Sequence, residues 1–180
     1  NAEIIISPTI SPKPEFQIKK KTLEISLTPD SLLPNTTYAI HFGKAIVDNN
    51  ESNPFPTYSY VFSTGAYLDS LCISGKVVDA YSAEASKEIA VVMYSLIEPT
   101  DTINFWDQQP IAYTKTKDDG TYELPYLKPG TFHLLAIDDI NKDLKYQAGA
   151  DAIAWLDSSL IELPISDSTL TVAPLRLFKE

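Results

Sequence analysis

Asp118-Asp119-Gly120-Thr121-Tyr122-Glu123-Leu124 runs on through Pro125-Tyr126-Leu127-Lys128-Pro129-Gly130 into Thr131-Phe132-His133-Leu134-Leu135-Ala136-Ile137. Asp-Asp-Gly predicts a tight hairpin, because glycine takes the left-handed backbone position such a turn requires. Strand Thr121–Leu124 follows it. Pro125–Gly130 reads as a second turn, in which proline presets one torsion and glycine frees the next. In Thr131–Ile137, Phe132, Leu134 and Ala136 share one face, while His133, Leu135 and Ile137 share the other. A strand apolar on both faces is expected to be covered on both. The cover expected for the second face is the loop carrying Phe105 and Trp106, or the preceding domain.

Outward from this stretch the pattern repeats. Period-two runs of β-branched and aromatic residues recur, broken by Pro, Asn, Asp and Gly, and long helical periodicity is missing. The ten Tyr and seven Phe suit half-buried pleated surfaces. Thirteen Pro against six Gly indicate stiff connections. From about Tyr67 onward, strands are expected at Leu71–Val78, Ile89–Tyr94, Ile111–Lys117, Thr121–Leu124, Thr131–Ile137, Leu160–Leu163 and Leu170–Leu177, enough for a sandwich. Before it, Ile4–Ser7, Phe16–Lys19, Leu23–Leu27 and the alternating runs at Tyr38–Phe42 and Tyr58–Phe62 fall short of the roughly seven strands of an immunoglobulin-type domain. The expectation is an all-β chain of two tandem Ig-like/transthyretin-like β-sandwiches, residues 1–67 and 68–180. The first is truncated at its N-terminus and lacks an early strand, as in a fragment of a longer protein.

Two sets of motifs resemble known families. Leu33-Pro34-Asn35-Thr36-Thr37-Tyr38, Phe42-Gly43-Lys44-Ala45-Ile46 and Tyr60-Val61-Phe62-Ser63-Thr64-Gly65 resemble bacterial Ig-like domains of the SbsA type, named after an S-layer protein. Ser74-Gly75-Lys76-Val77-Val78-Asp79-Ala80, Asp118–Tyr122 and Leu127–Phe132 resemble the carboxypeptidase-regulatory-like, transthyretin-related β-sandwich. Together they cover nearly the whole chain, and the tandem is similar to one found in envelope lipoproteins of Gram-negative bacteria. The resemblance implies a location in the bacterial cell envelope (periplasm, outer membrane or cell surface), with membrane attachment only through an anchor outside this chain. It is specific for fold and uninformative about activity.

The formal net charge is −10, of which −9 falls in residues 68–180. An acidic surface repels phosphate backbones, so a nucleic-acid partner is not expected. No apolar run reaches the length of a membrane-spanning helix. Cys72 stands alone, which excludes an intrachain disulfide, and its place between Leu71 and Ile73 reads as a small buried hydrophobe.

Catalytic chemistry finds little material. His41 and His133 each sit mid-strand, where a structural histidine is the favoured reading over the base of a hydrolase triad. The transthyretin-related hydrolases that the second motif set resembles use several His and an Arg, a site that two His and the single Arg176 do not assemble. No enzyme is expected and no cofactor. Asp139, Asn141 and Asp143 follow the D-x-N-x-D spacing of oxygen-rich Ca²⁺ loops, with Asp151 nearby. Position six is Leu144 rather than Gly and position twelve is Ala150, so any Ca²⁺ bound there is expected to be held weakly; the other reading is an acidic turn with Asx caps. Phe105, Trp106 and Tyr113 could form a sugar-stacking platform, or else a lid over an apolar face. Trp155, between Ala154 and Leu156, reads as core.

These readings make the chain a non-enzymatic structural or adhesive module, with a protein or glycan partner that the sequence does not identify. The alternative is a carbohydrate- or ligand-binding module built on Trp106 and its aromatic neighbours. A missing strand would leave a sheet edge open, the condition for an edge-strand homodimer.

Overall fold

A computed structural model describes residues 4–43, 45–48, 50–51, 53, 55, 58–95, 108–158, 160–163 and 169–179. The chain divides into two compact units, Asn1–Leu68 and Asp69–Glu180. Both are built from strands, and a 3-10 turn at Pro29–Ser31 is the helical element among the described residues.

Unit 1 contains β1 (Ile5–Ser7), β2 (Glu15–Lys19), β3 (Thr22–Ser26), β4 (Thr37–His41) and β5 (Ser59–Ser63). β1, β4 and β5 form an antiparallel sheet with β4 in the middle, and β2 and β3 form a separate hairpin. The central strand carries the core: Tyr38, Ala39 and Ile40 are buried, with Phe42 just beyond its end and Ile10 from the β1–β2 connection. In the hairpin Phe16 faces Ile25 and Ile18 faces Leu23, which puts four apolar side chains on one face.

The corner entering β4 shows why Pro34–Tyr38 and Ser63–Gly65 belong together. The Leu33 amide donates to the Tyr38 hydroxyl at 2.8 Å. That is the tyrosine corner of immunoglobulin-type sandwiches, in which a tyrosine hydroxyl ties back to backbone a few residues upstream. Thr64 closes the same corner from β5. Its hydroxyl accepts the Thr36 amide at 3.0 Å and donates to the Leu33 carbonyl at 2.6 Å, while its own amide donates to the Thr36 carbonyl. A Cβ on Gly65 would come within 2.9 Å of the Asn35 Cα, so only glycine follows Thr64 without displacing backbone.

Unit 2 contains β6 (Leu71–Asp79), β7 (Ala90–Ser95), β8 (Ala112–Lys115), β9 (Thr121–Leu127), β10 (Gly130–Ile137), β11 (Ile153–Trp155), β12 (Ile161–Leu163), β13 (Thr169–Thr171) and β14 (Leu175–Leu177). One sheet is centred on β6, with β9 antiparallel on one side and the short β13 and β14 parallel on the other. The second runs β8, β7, β10, and β11 and β12 share the far edge of β10. Residues of both sheets (Ile73, Val77 and Leu124 from the first, Val91, Met93 and Leu134 from the second) join in one buried cluster, which makes unit 2 a two-layer sandwich. The layers are joined at one edge, where Ile153 and Phe178 exchange backbone hydrogen bonds of 2.8 and 3.0 Å.

Three expectations change here. Asp118-Asp119-Gly120 does make a tight turn, closed by Lys117 N–H donating to Thr121 O and Gly120 N–H to Lys117 O. It does not make a hairpin ladder, because β8 stays with β7 while β9 crosses to β6. Each end is tied to a different layer. Thr116 exchanges bonds with Ile89, which leads into β7, its hydroxyl accepting the Ile89 amide and its own amide donating to the Ile89 carbonyl, whereas the Gly120 carbonyl accepts the Val77 amide of β6. Next, Pro125 lies inside β9 rather than in a turn. Leu71 faces Leu127 and Ile73 faces Leu124, so Pro125 and Tyr126 together oppose Cys72 in a bulge, the setting in which a strand tolerates proline. Finally, Leu170–Leu177 is two strands rather than one, separated at Val172–Pro174.

The second face of β10 is buried as well. Leu135 and Ile137, with Val92 and Tyr94 on β7, are closed off from solvent. Burial raises the Tyr94 hydroxyl pKa to about 12, helped by the negative charge of Asp139 in the loop after β10. Phe105 and Trp106, expected as the cover, fall outside the described residues.

Candidate functional site

Strand β14 alternates Leu175 and Leu177, buried in the core, with Arg176 turned outward. On β11, Ala154 enters the core opposite Ala136, so Trp155, opposite Leu135, leaves it by the other face. Trp155 is half exposed, at 51%, and is not the core residue its apolar neighbours suggested. The Ile153–Phe178 bridge brings the Phe178 ring against it, with centroids 5.1 Å apart and planes at 74°, an edge-to-face contact that fixes the indole. The turn after β6 supplies the remaining wall. Ala80 N–H donates to Leu177 O, and Asp79 accepts the Tyr81 and Ser82 amides and the Ser82 hydroxyl. Those bonds, the Ser82 amide foremost, hold the Asp79 carboxyl below the usual carboxylate range. Tyr81 is left projecting from a rigid turn, 92% exposed.

Together Ala80, Tyr81, Trp155, Asp157, Arg176 and Phe178 line an open cleft of about 410 Å³. Its aromatic rings sit beside one guanidinium and one carboxylate. Among the described residues the Arg176 and Asp157 side chains make no ion pair or hydrogen bond, so their donors and acceptors face the cleft and solvent.

The residues singled out from sequence lie elsewhere. Tyr113 on β8 is buried and presents no open ring for stacking; Val92 and Leu135 stand between it and Trp155 in the same row of the sheet. The acidic loop is organised around backbone amides. Asp139 accepts those of Asp143 at 3.2 Å and Leu144 at 2.9 Å, and Asp143 accepts that of Lys145 at 2.9 Å and the side-chain amide of Asn141 at 3.2 Å. Asp151, buried rather than solvated, accepts the Gln147 amide at 2.9 Å. Lys142 and Leu144 take left-handed torsions, φ 62° and 61°, which these Asx-type bonds stabilise. Among the described residues no three carboxylate, histidine or cysteine groups converge to hold a metal ion. We expect millimolar Ca²⁺ to leave the melting temperature unchanged. A rise of a few degrees, lost on combining Asp139→Ala with Asp143→Ala, would restore the ion to this loop.

His41 lies across from Ser59, its Nδ1 2.7 Å from the Ser59 hydroxyl. Burial lowers the imidazole pKa, which suits a neutral cross-strand partner. No described carboxylate is hydrogen-bonded to the ring, so the pair lacks the third member that orients a catalytic base. Cys72 is half-buried on the outer face of β6. Burial, then the Glu123 charge, push its thiol up, away from nucleophilic character.

Comparison with known proteins adds a relationship for unit 1. Residues 1–64 match the family model of the bacterial Ig-like domain. The match spans the tyrosine corner and the Thr64 lock and ends at Thr64. No curated protein sequence matches the chain. Among solved structures, a streptococcal ancillary pilin aligns with 91% of this chain and 50% of its own, at 12% identity and a TM-score of 0.36. The major pilin subunit BcpA of Bacillus cereus aligns with 98% of this chain and 55% of its own, at 10% identity and a TM-score of 0.36. The chain thus spans about half the length of these two proteins, and similarity at that level does not establish a shared fold.

Sequence reasoning missed the Trp155 cleft. Its signal was the alternation Leu175-Arg176-Leu177, which places arginine outward on a short strand. The other half, the return of Phe178 to Ile153, is a contact between distant residues and has no local signature.

Proposed function

We propose that the chain is a non-enzymatic structural or adhesive module of a bacterial envelope protein, exposed in the periplasm, on the outer membrane or at the cell surface. The observation that carries this reading is the Ig-like match of residues 1–64, joined to a second sandwich with a sealed core. On the finer level, unit 1 is read as the SbsA type and unit 2 as a carboxypeptidase-regulatory-like, transthyretin-like sandwich. Support for the second comes from where its motif residues fall. Gly75 lies opposite Tyr122, whose ring occupies the space a Cβ would need, and Gly120 makes the turn between layers. Membrane attachment is assigned to an anchor outside this chain, as in a lipoprotein. The outer edges of β1 and β5 are the places where a second copy could add a strand to form a homodimer.

Fractionation of cells expressing the epitope-tagged parent protein tests the placement. Recovery with the envelope, and digestion by protease added to intact or outer-membrane-permeabilised cells, are expected. Recovery in the cytosol overturns the proposal.

A further inference from the structure

We propose that the Trp155 cleft binds a neutral pyranose sugar, most simply a terminal residue of a glycan. The inference does not depend on the envelope reading, since a spacer need bind nothing and a sugar site could serve another setting.

Three features carry it. Trp155 and Tyr81 expose flat apolar rings, and the C–H faces of a pyranose ring are the flat, weakly apolar surface that packs on such rings. The Trp155 ring is held by Phe178 before any ligand arrives, and the Asp79-capped turn fixes the backbone at Tyr81, so binding need order only the exposed Tyr81 ring. The polar groups complete the match. Asp157 offers acceptors for hydroxyl protons and Arg176 offers a fork of N–H donors, the complementary pair that adjacent sugar hydroxyls satisfy. The volume, about 410 Å³, falls within the roughly 300–1,000 Å³ of small-molecule sites.

Charge selects among ligands. Among the lining residues Arg176 and Asp157 carry opposite charges, while Asp79 in the adjoining turn and unit 2 as a whole are acidic. A polyanionic glycan, or the carboxylate of a peptide C-terminus, would gain Arg176 but meet Asp157 and the surrounding negative field. A wholly apolar ligand would strip water from both charges without replacing their hydrogen bonds. A neutral sugar avoids both penalties.

The test uses the whole chain and five trisaccharides: maltotriose, cellotriose, mannotriose, triacetylchitotriose and, as the acidic comparison, trigalacturonate. Each is titrated to about 10 mM and followed by tryptophan fluorescence and calorimetry. At least one neutral probe should bind with a roughly millimolar Kd. Trp155→Ala and Tyr81→Ala should each weaken it about tenfold, and Arg176→Gln and Asp157→Asn about threefold. Tyr81 projects into solvent, so its variant keeps the fold and remains informative even if Trp155→Ala disturbs the Phe178 contact. The proposal fails if no neutral probe binds, if binding survives loss of both Trp155 and Tyr81, or if trigalacturonate binds more tightly than every neutral probe.

Discussion

Gly120→Ala should destabilise unit 2 by about 2–4 kcal/mol, the sum of backbone strain near 1 kcal/mol and an overpacking term of about 1–3 kcal/mol. Gly120 has φ +76°, a conformation that costs any residue with a Cβ. The added carbon would also lie 2.6 Å from the Val77 carbonyl oxygen and 3.2 Å from the Ala85 Cβ. Neither neighbour is a flexible side-chain end. Val77 is fixed within β6, paired with Leu175 of β14, and its amide is bonded to the Gly120 carbonyl, so moving the turn away breaks that bond as well. Asp119→Ala is the control in the same turn. It removes a carboxylate that accepts the Thr121 amide and hydroxyl at the surface, and should cost much less. Denaturant unfolding of the whole chain, followed by tryptophan fluorescence because Trp106 and Trp155 both belong to unit 2, reads both. A Gly120→Ala loss no larger than that of Asp119→Ala would mean that the turn does not hold β9 to β6.

The same turn marks where sequence reasoning reached and where it stopped. That Gly120 needs a left-handed torsion is local chemistry, legible from Asp-Asp-Gly alone. Which strands meet beyond the turn depends on Thr116 bonding to Ile89, which leads into β7, and on Gly120 bonding to Val77 of β6. Those contacts span up to 43 residues and leave no periodicity to read. Most strand positions in both units followed from alternation, as did the double burial of β10, but β11 at Ile153–Trp155 was not read as a strand. Parallel pairing of β13 and β14 with β6 did not, because a three-residue strand carries too little pattern to name its partner. Trp155 was misplaced for a related reason. Apolar neighbours suggest core, but at a sheet edge alternation decides, and its partner Leu135 puts it on the face that opens toward Arg176. In the acidic loop, the ligand-like spacing proved compatible with a second use, in which each carboxylate accepts amide protons.

Tyr38→Ala should cost about 3–5 kcal/mol, the range for removing a buried aromatic side chain. That loss is enough to unfold unit 1 while unit 2 stays folded, since small domains are only marginally stable. Tyr38 is fully buried on the central strand of a three-stranded sheet, and its ring stacks on Phe62 with centroids 5.4 Å apart. Ile10, Ala39, Ile40 and Phe42 are the other buried apolar side chains described in this unit, so little remains to close around the gap. Tyr38→Phe separates the two roles of the residue. It keeps the stack and deletes the hydroxyl that accepts the Leu33 amide, so it should cost about 1–2 kcal/mol. The Thr36–Thr64 bonds would still hold the corner, which is why the phenylalanine variant should remain folded. Amide hydrogen exchange read unit by unit distinguishes these outcomes. Tyr38→Ala should expose the amides of β1, β4 and β5 and leave those of β6 and β10 protected. Retained protection of β4 in the alanine variant would show that the sheet does not rest on this ring. Equal losses for Phe and Ala would shift the weight from packing to the single hydrogen bond, so that the corner, rather than the buried aromatic area, would be what keeps unit 1 folded.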